Sequence, residues 1–348
     1  MVRLSTTKYV TGLALISSLY TANVFAAPLN PLTKPLNMTF CVYDVAGNGG
    51  DLYRYAKDLS LFAQKWNVNA KIRAYTDERV IAEDFKANQC DGIAVSTLRA
   101  KQFNNFVGSI DSIGSAPSYR HIKELVSTFN HPKIAPLTIQ GDYQVVTVMP
   151  LGASYVMVNN RHIDSVEKAT GKKVAVIETD KAHSKLVHLL GAQAINTDFY
   201  NFANLFNNGQ VDIITAPAIA FKPLELSKGL SYYGGIYRLP IMQMTGTVLI
   251  NRTNLAKQIP DLDLRLEQIR QYALGEMDKT IAYIEKTEKA IPQQYWLDLS
   301  DAEKNRYITM MREARNHLTK EGYYDERMMN LMKKVRCKIS PSDSECGV

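Results

Sequence analysis

The pattern of apolar and polar positions is clearest between residues 171 and 217, GKKVAVIETDKAHSKLVHLLGAQAINTDFYNFANLFNNGQVDIITAP. Residues 173–177 form a short run with β-branched members, bounded upstream by Gly171, which predicts a strand. Residues 182–190 then place Leu186, Leu189 and Leu190 at helical spacing, and Gly191 follows as a helix-stop signal. After a short strand, residues 199–206 repeat the helical pattern with Phe202, Leu205 and Phe206 on one face. Residues 211–215 predict a further strand, stopped by Pro217. Strands alternating with helices of this length imply a parallel sheet with right-handed crossovers. In such sheets ligands bind beyond the carboxyl ends of the strands, so the tips after Ile177 and Thr215 are where function is expected.

The same pattern opens the chain. Residues 39–44 predict a strand, and Asp51 after the turn Gly47-Asn48-Gly49-Gly50 is positioned to cap a helix running to about residue 66. Leu52, Tyr55, Leu59 and Phe62 mark its buried face. Residues 70–75 and 91–95 predict two more strands around a helix over 77–87, which begins with a capping pattern at Thr76. If the three strands pair in the doubly wound order 2-1-3, the first and third are parallel neighbours. Cys41 and Cys90 then lie side by side, which favours Cys41–Cys90 and leaves Cys337–Cys346 as a small local loop. Residues 107–118 read as a Gly- and Ser-rich loop facing the interior, and 119–129 as a helix. Residues 143–149 and 154–158 are β-rich, with Pro150 and Gly152 between them, and are taken as the crossing into a second domain. A strand over 245–251 returns to the first domain. Long helices are predicted over 262–291 and, capped by Ser300, over 301–321, with a last short one over 326–335. The expected division is 28–150 plus 240–270 for one domain and 151–239 plus 271–348 for the other.

Composition adds the compartment. Arg3 and Lys8 precede an apolar run over 10–19 and an A-x-A-like site at Val24-Phe25-Ala26, so residues 1–26 read as a secretory signal peptide. No later apolar run approaches the roughly 18 residues a spanning helix needs, so the mature chain is expected to be soluble. An even count of four cysteines behind such a leader favours disulfides in an oxidising compartment. The formal charge of +7 includes Arg3 and Lys8 and falls to +5 without them, with bases and acids interleaved throughout. That is a solubility feature, and nucleic acid is excluded as a partner. His183 and His188 are five apart, off the same-face spacing of four, so no metal pair is expected. No Ser-His-Asp constellation or G-x-S-x-G elbow appears, and nothing calls for a cofactor, so the chain is not expected to be an enzyme.

With these elements in order, the chain resembles the periplasmic solute-binding proteins of tripartite ATP-independent (TRAP-type) transporters. The family's G-x-K-x-R-V strand matches Gly171-Lys172-Lys173-Val174-Ala175-Val176 except at the arginine, where Ala175 stands. Its L-G-A appears as Leu190-Gly191-Ala192, and its V-D-x-x-x-N-P as residues 211–217, with Ala216 in place of the asparagine. An upstream G-x-R aligns with Gly152-Ala153-Ser154, again without the arginine. Asn251 and a W-x-x-L-S-x-x-E-K pattern from Trp296 extend the similarity over residues 39–336. Within this group the chain is similar to a subgroup carrying FCVYD, AYTDERVIAEDFKANQCDGIA and GSIDSIGSAPSY, found here from Phe40, Ala74 and Gly108. Such proteins are often labelled as components of resistance–nodulation–division efflux pumps linked to aminoglycoside resistance. A pump needs many spanning helices, so that label does not suit this chain.

The resemblance implies a type II-like, two-domain α/β binding fold. Each domain is a mixed, mostly parallel sheet flanked by helices, with a long helix and C-terminal helices packing on both. It also implies capture of a small solute in the interdomain cleft and delivery to membrane transporter subunits. In the family the strand arginine clamps the ligand carboxylate with two charge-assisted hydrogen bonds, which alanine cannot supply. An organic acid held in that way is therefore disfavoured.

The expected cleft residues follow from strand tips and motif positions. From the first domain they are Asp44, Asn48, Gly49, Asp51, Ser96, Thr97 and Arg99. The glycine-rich turn is suited either to cradling an anion with backbone N–H groups or simply to making the strand-to-helix connection. From the second domain they are Ser154, Tyr155, Ala175, Glu178, Thr179 and Thr215. If Glu178 lines the cleft, the site favours an amine or cation. A different reading is an envelope accessory protein linked to efflux or antibiotic resistance, acting through protein contacts. The two separate on whether the cleft is open and polar or filled by the protein's own side chains.

Overall fold

Ten strands form one mixed sheet in the computed structural model, which describes residues 29–347. The signal peptide expected over residues 1–26 lies outside the described residues. The strands are β1 (Leu36–Tyr43), β2 (Val68–Tyr75), β3 (Gly92–Ser96), β4 (Ile139–Gln140), β5 (Tyr143–Val158), β6 (Lys173–Ile177), β7 (Gln193–Thr197), β8 (Ile213–Pro217), β9 (Gly235–Asn251) and β10 (Trp296–Leu297). Their order is β2-β1-β3-β9-β5-β8-β6-β7, with β10 beside β9 and β4 beside β5. The 2-1-3 order expected for the first three strands is present, and β1 is parallel to both neighbours. Its consequence is present too: Cys41 is bonded to Cys90 across a Cα–Cα distance of 5.9 Å, and Cys337 to Cys346.

Two long antiparallel strands, β5 and β9, run through both ends of the sheet. β5 was expected as two segments, and only residues 245–251 of β9 were expected as a strand. Pro150 and Gly152 do not break β5 because the ladder to β9 shifts register around them, and Gly152 takes the φ of +131° that the irregularity requires. The domain boundaries expected at 150/151 and 239/240 fall inside these strands.

The register fixes where the strand tips point. β3 pairs antiparallel with β9, Gly92 opposite Ile250 and Ser96 opposite Gly246, so its carboxyl end faces the middle of the sheet. β8 pairs antiparallel with β5, Val158 opposite Ile213 and Ser154 opposite Pro217, so its carboxyl end also faces the middle. The tips of β1 and β3 therefore look toward those of β6 and β8 across the centre of the molecule.

One apolar core joins the first three strands, the loop around Ile110 and Ile113, and the C-terminal helices at Leu318, Met328 and Met332. Ala182 and Leu186 of the helix Lys181–Leu189 belong to the same core, which ties the second half to the first. Separate clusters cover the two faces of the second half of the sheet, one around Tyr155, Phe202 and Phe206 and the other around Val158, Val174 and Tyr237. The loop over 107–118 does face inward: Ser109, Asp111, Ser112 and Ser115 are all buried. The long helix Leu262–Lys289 and the helices Asp301–Lys320 and Glu326–Ile339 match expectation closely, the second capped by Ser300 accepting from the Glu303 amide.

Two local expectations are corrected. The helix Asp51–Gln64 is capped at Gly50, not Asp51, and its buried residue is Ala56, while Leu52 is exposed. The helix Glu78–Lys86 is capped by Asp77, whose carboxylate accepts from the Arg79 amide, not by Thr76.

Candidate functional site

The strand tips of the two halves meet through side chains. Tyr43, the last residue of β1, packs its ring 6.4 Å from that of Phe199, which follows β7. Arg79, at the start of the helix after β2, lies 3.5 Å from Asp198. Arg99, just beyond β3, lies 3.7 Å from Glu178, just beyond β6. These ion pairs are long and partly exposed, so each contributes at most about 1 kcal/mol. Such contacts are loose enough to be exchanged.

Carboxylates crowd the first half of this junction. Glu78 is enclosed, and both of its oxygens accept from Ser96, the amide at 2.5 Å and the hydroxyl at 2.8 Å. Burial pushes the Glu78 carboxyl up to about 6 in spite of those hydrogen bonds and the nearby Arg99 charge. Burial, followed by the charges of Glu78, Asp44, Asp77 and Asp198, holds the Tyr43 phenol far above its ordinary range, so it stays neutral. Against these acids stand Arg79 and Arg99. Arg99 Nε and Thr179 Oγ1 are buried without hydrogen-bond partners among the described residues.

Of the expected first-half residues, Ser96 and Arg99 reach the junction. Asp44 does a different job: it is 3% exposed, its Oδ1 accepts from the Ala46 amide and its Oδ2 from the Tyr53 amide. The turn at Gly47-Asn48-Gly49-Gly50 thus already surrounds a carboxylate of the protein, and a Cβ at Gly50 would sit 1.8 Å from it. At that helix terminus the Tyr53 amide is thus taken by the protein's own carboxylate, and the Gly49 and Gly50 amides donate to the carbonyls of Ala46 and Gly47. Asn48 and Gly49 are exposed, and the exposed Asp51 takes Arg54 and the Tyr283 hydroxyl, the latter at 2.8 Å. Thr97 is wholly buried, its hydroxyl 2.7 Å from that of Thr245 and 2.6 Å from that of Thr247.

In the second half, Glu178 is at the junction, and Thr179 follows it in the chain. Ala175 and Ala216 lie in one apolar cluster with Tyr155 and Phe202, so no hydrogen-bonding group stands at either position. Tyr155 sits edge-on to Trp296, with ring centroids 5.1 Å apart, and burial together with the nearby Glu288 charge holds its phenol far above its ordinary range. Ser154 is fully buried, and its Oγ has no partner among the described residues. Thr215 lies opposite Val156 and lines an apolar cavity together with Val158, on the other side of the sheet from Tyr155.

Sequence reasoning missed Tyr43, Glu78, Arg79, Asp198 and Phe199. The signal that finds them is the strand-tip rule already used for β1, β3, β6 and β8, extended to the last residue of β1 and to the residues that follow β2 and β7.

This architecture is that of the TRAP periplasmic solute-binding proteins. A solved structure from Shewanella oneidensis, described as a TRAP periplasmic solute-binding protein with bound succinate, superposes with a TM-score of 0.70 at 10% identity, over 86% of this chain and 99% of that one. The periplasmic ectoine-binding protein of the TeaABC TRAP transporter of Halomonas elongata gives a TM-score of 0.69 at 12% identity, over 88% and 99%. At these identities the likeness concerns the fold alone. The chain belongs to the family described as "Solute-binding protein AdeT 1/2", whose model matches residues 59–348. It is similar to two proteins of Acinetobacter baumannii. "Probable solute-binding protein AdeT1" is 38% identical over 307 residues, 88% of this chain and 99% of that protein. "Probable solute-binding protein AdeT2" is 27% identical over 244 residues, 69% and 98%. No helix among the described residues is long and apolar enough to cross a membrane.

Proposed function

We propose that this protein is a periplasmic solute-binding protein that captures a small polar solute between its halves and delivers it to a TRAP-like transporter. The halves lie on either side of the crossing of β5 and β9, with the C-terminal helices packed on the core of the first, and they close by bending at those two strands. The observation that carries the reading is the junction of opposed strand tips, where Tyr43, Arg79 and Arg99 meet Phe199, Asp198 and Glu178. That is where open α/β sheets hold ligands. The site works without the carboxylate-clamping arginine, since Ala175 and Ala216 are packed among apolar side chains. With acids outnumbering bases at the junction, the solute carries an amine or other cationic group. It exchanges with a guanidinium as the partner of Glu178 or Asp198 and rests against the Tyr43 and Phe199 rings.

The test is a thermal-shift screen of the mature protein against amines, amino acids, sugars and organic acids, since a bound ligand raises the melting temperature by mass action. The expected result is a saturable rise with an amine-bearing solute and none with dicarboxylates. Absence of any saturable rise across the panel contradicts the proposal.

A second reading, an envelope accessory protein acting through protein contacts, has one observation in its favour. The strand tips are bridged by the protein's own side chains.

A further inference from the structure

A cavity of about 70 Å³ lies on the other face of the second half, away from the strand-tip junction. The sheet supplies Val174 and Ile213, the helix Lys181–Leu189 supplies Val187, and Tyr237 and Tyr307 close it with rings 6.0 Å apart. Ile113 and Ile241 reach it from the inward-facing loop and from β9, so an occupant would touch both halves. Well-packed interiors rarely leave voids larger than a water molecule. A water needs two to four polar partners to settle in one, and these walls are mostly aliphatic.

The polar side chains of the lining are Ser165, His183, Thr215, Tyr237 and Tyr307, and among them Tyr237 alone carries a buried polar atom with no partner among the described residues. It is 2% exposed, it lines the cavity, and its Oη is buried without a hydrogen-bond partner among the described residues. Burial, above all, holds the hydroxyl far above its ordinary range, so it remains an O–H donor. A buried donor without an acceptor is destabilising, and a ligand oxygen accepting from it would relieve that. Charged molecules are disfavoured, because the lining holds no carboxylate, lysine or arginine and burial favours the neutral form of its one histidine, His183.

We propose that this cavity is a second ligand site, for a small neutral molecule of mostly apolar surface bearing one oxygen that accepts the Tyr237 hydroxyl's hydrogen bond. The cavity volume suits a ketone of acetone's size. The site is separate from the strand-tip junction and stands or falls independently of the ligand proposed there. Its helix begins beside Asp180, two residues after Glu178, so filling the cavity steadies the element that carries the junction's acid.

The test is methyl-labelled NMR of the full mature protein titrated with acetone, with xenon as a probe of the void alone. Acetone should shift the methyl signals of Val174, Val187 and Ile213 saturably in the millimolar range, and Tyr237→Phe should weaken it about fivefold. Ala192→Leu, which places bulk in the same cavity, should abolish the shifts; Ala169→Leu at the half-buried wall serves if that variant does not fold. The proposal is overturned if acetone gives no saturable shift, if xenon enters and acetone does not, or if Tyr237→Phe binds acetone as the wild type does.

Discussion

At the residue scale, the most informative side chain outside the junction is Asp111. It is 3% exposed, and its carboxylate accepts from the Thr245 hydroxyl at 2.6 Å and from the Thr245 amide at 3.1 Å, holding the inward-facing loop to β9 where that strand crosses between halves. Burial pushes its carboxyl up to about 7, against the lowering effect of those hydrogen bonds. An acid whose folded-state pKa is raised contributes stability that is full below its unfolded value of about 3.9 and is lost as pH rises through the folded value. Asp111→Asn keeps an acceptor and removes the titration. The stability advantage of the wild type over Asp111→Asn, from urea unfolding, should therefore shrink between about pH 4 and pH 8. A difference that stays constant across that range contradicts the assignment. None of this was legible beforehand: the sequence shows that the 107–118 loop can face inward, but not which acid it buries. Asp44 teaches the same lesson, since the carboxylate expected to meet a ligand is spent on the Ala46 and Tyr53 amides.

At the element scale, local patterns were read well where they are local. The strands Lys173–Ile177 and Gln193–Thr197 and the helix Lys181–Leu189 follow from periodicity and from the stop at Gly191, whose φ is +70°. β5 and β9 were underread because their continuity rests on partners distant in sequence. Pro150 and Gly152 look like breakers, yet the β9 ladder carries the strand through them. Gly152 also meets close neighbours: a Cβ there would sit 3.3 Å from both Ile284 Cγ2 and Pro217 Cβ. Gly152→Ala should therefore lower unfolding stability by about 1–3 kcal/mol through backbone strain. Chemical denaturation that finds the variant as stable as the wild type would show that the strand bends some other way.

At the scale of the whole molecule, topology was legible and partnership was not. The 2-1-3 strand order and both disulfides came from pattern alone, because parallel neighbours put Cys41 beside Cys90. Which tip residues face one another depends on how β5 and β9 set the two halves, and no local signal encodes that. Hence Arg99 and Glu178 were singled out separately, and their pairing emerged only in three dimensions. Ala175 and Ala216 lie in an apolar cluster, and the proposal of a site without an arginine clamp rests on that. The proposed cargo is accordingly a cation, held by Glu178 and Asp198. The measurement that tests this most directly is isothermal titration of the amine-bearing solute giving the largest thermal shift, into wild type and Glu178→Gln. Loss of the carboxylate charge should weaken binding at least about tenfold, equivalent to about 1.4 kcal/mol. Equal affinity in the two proteins would contradict the claim that the strand-tip junction is the solute site.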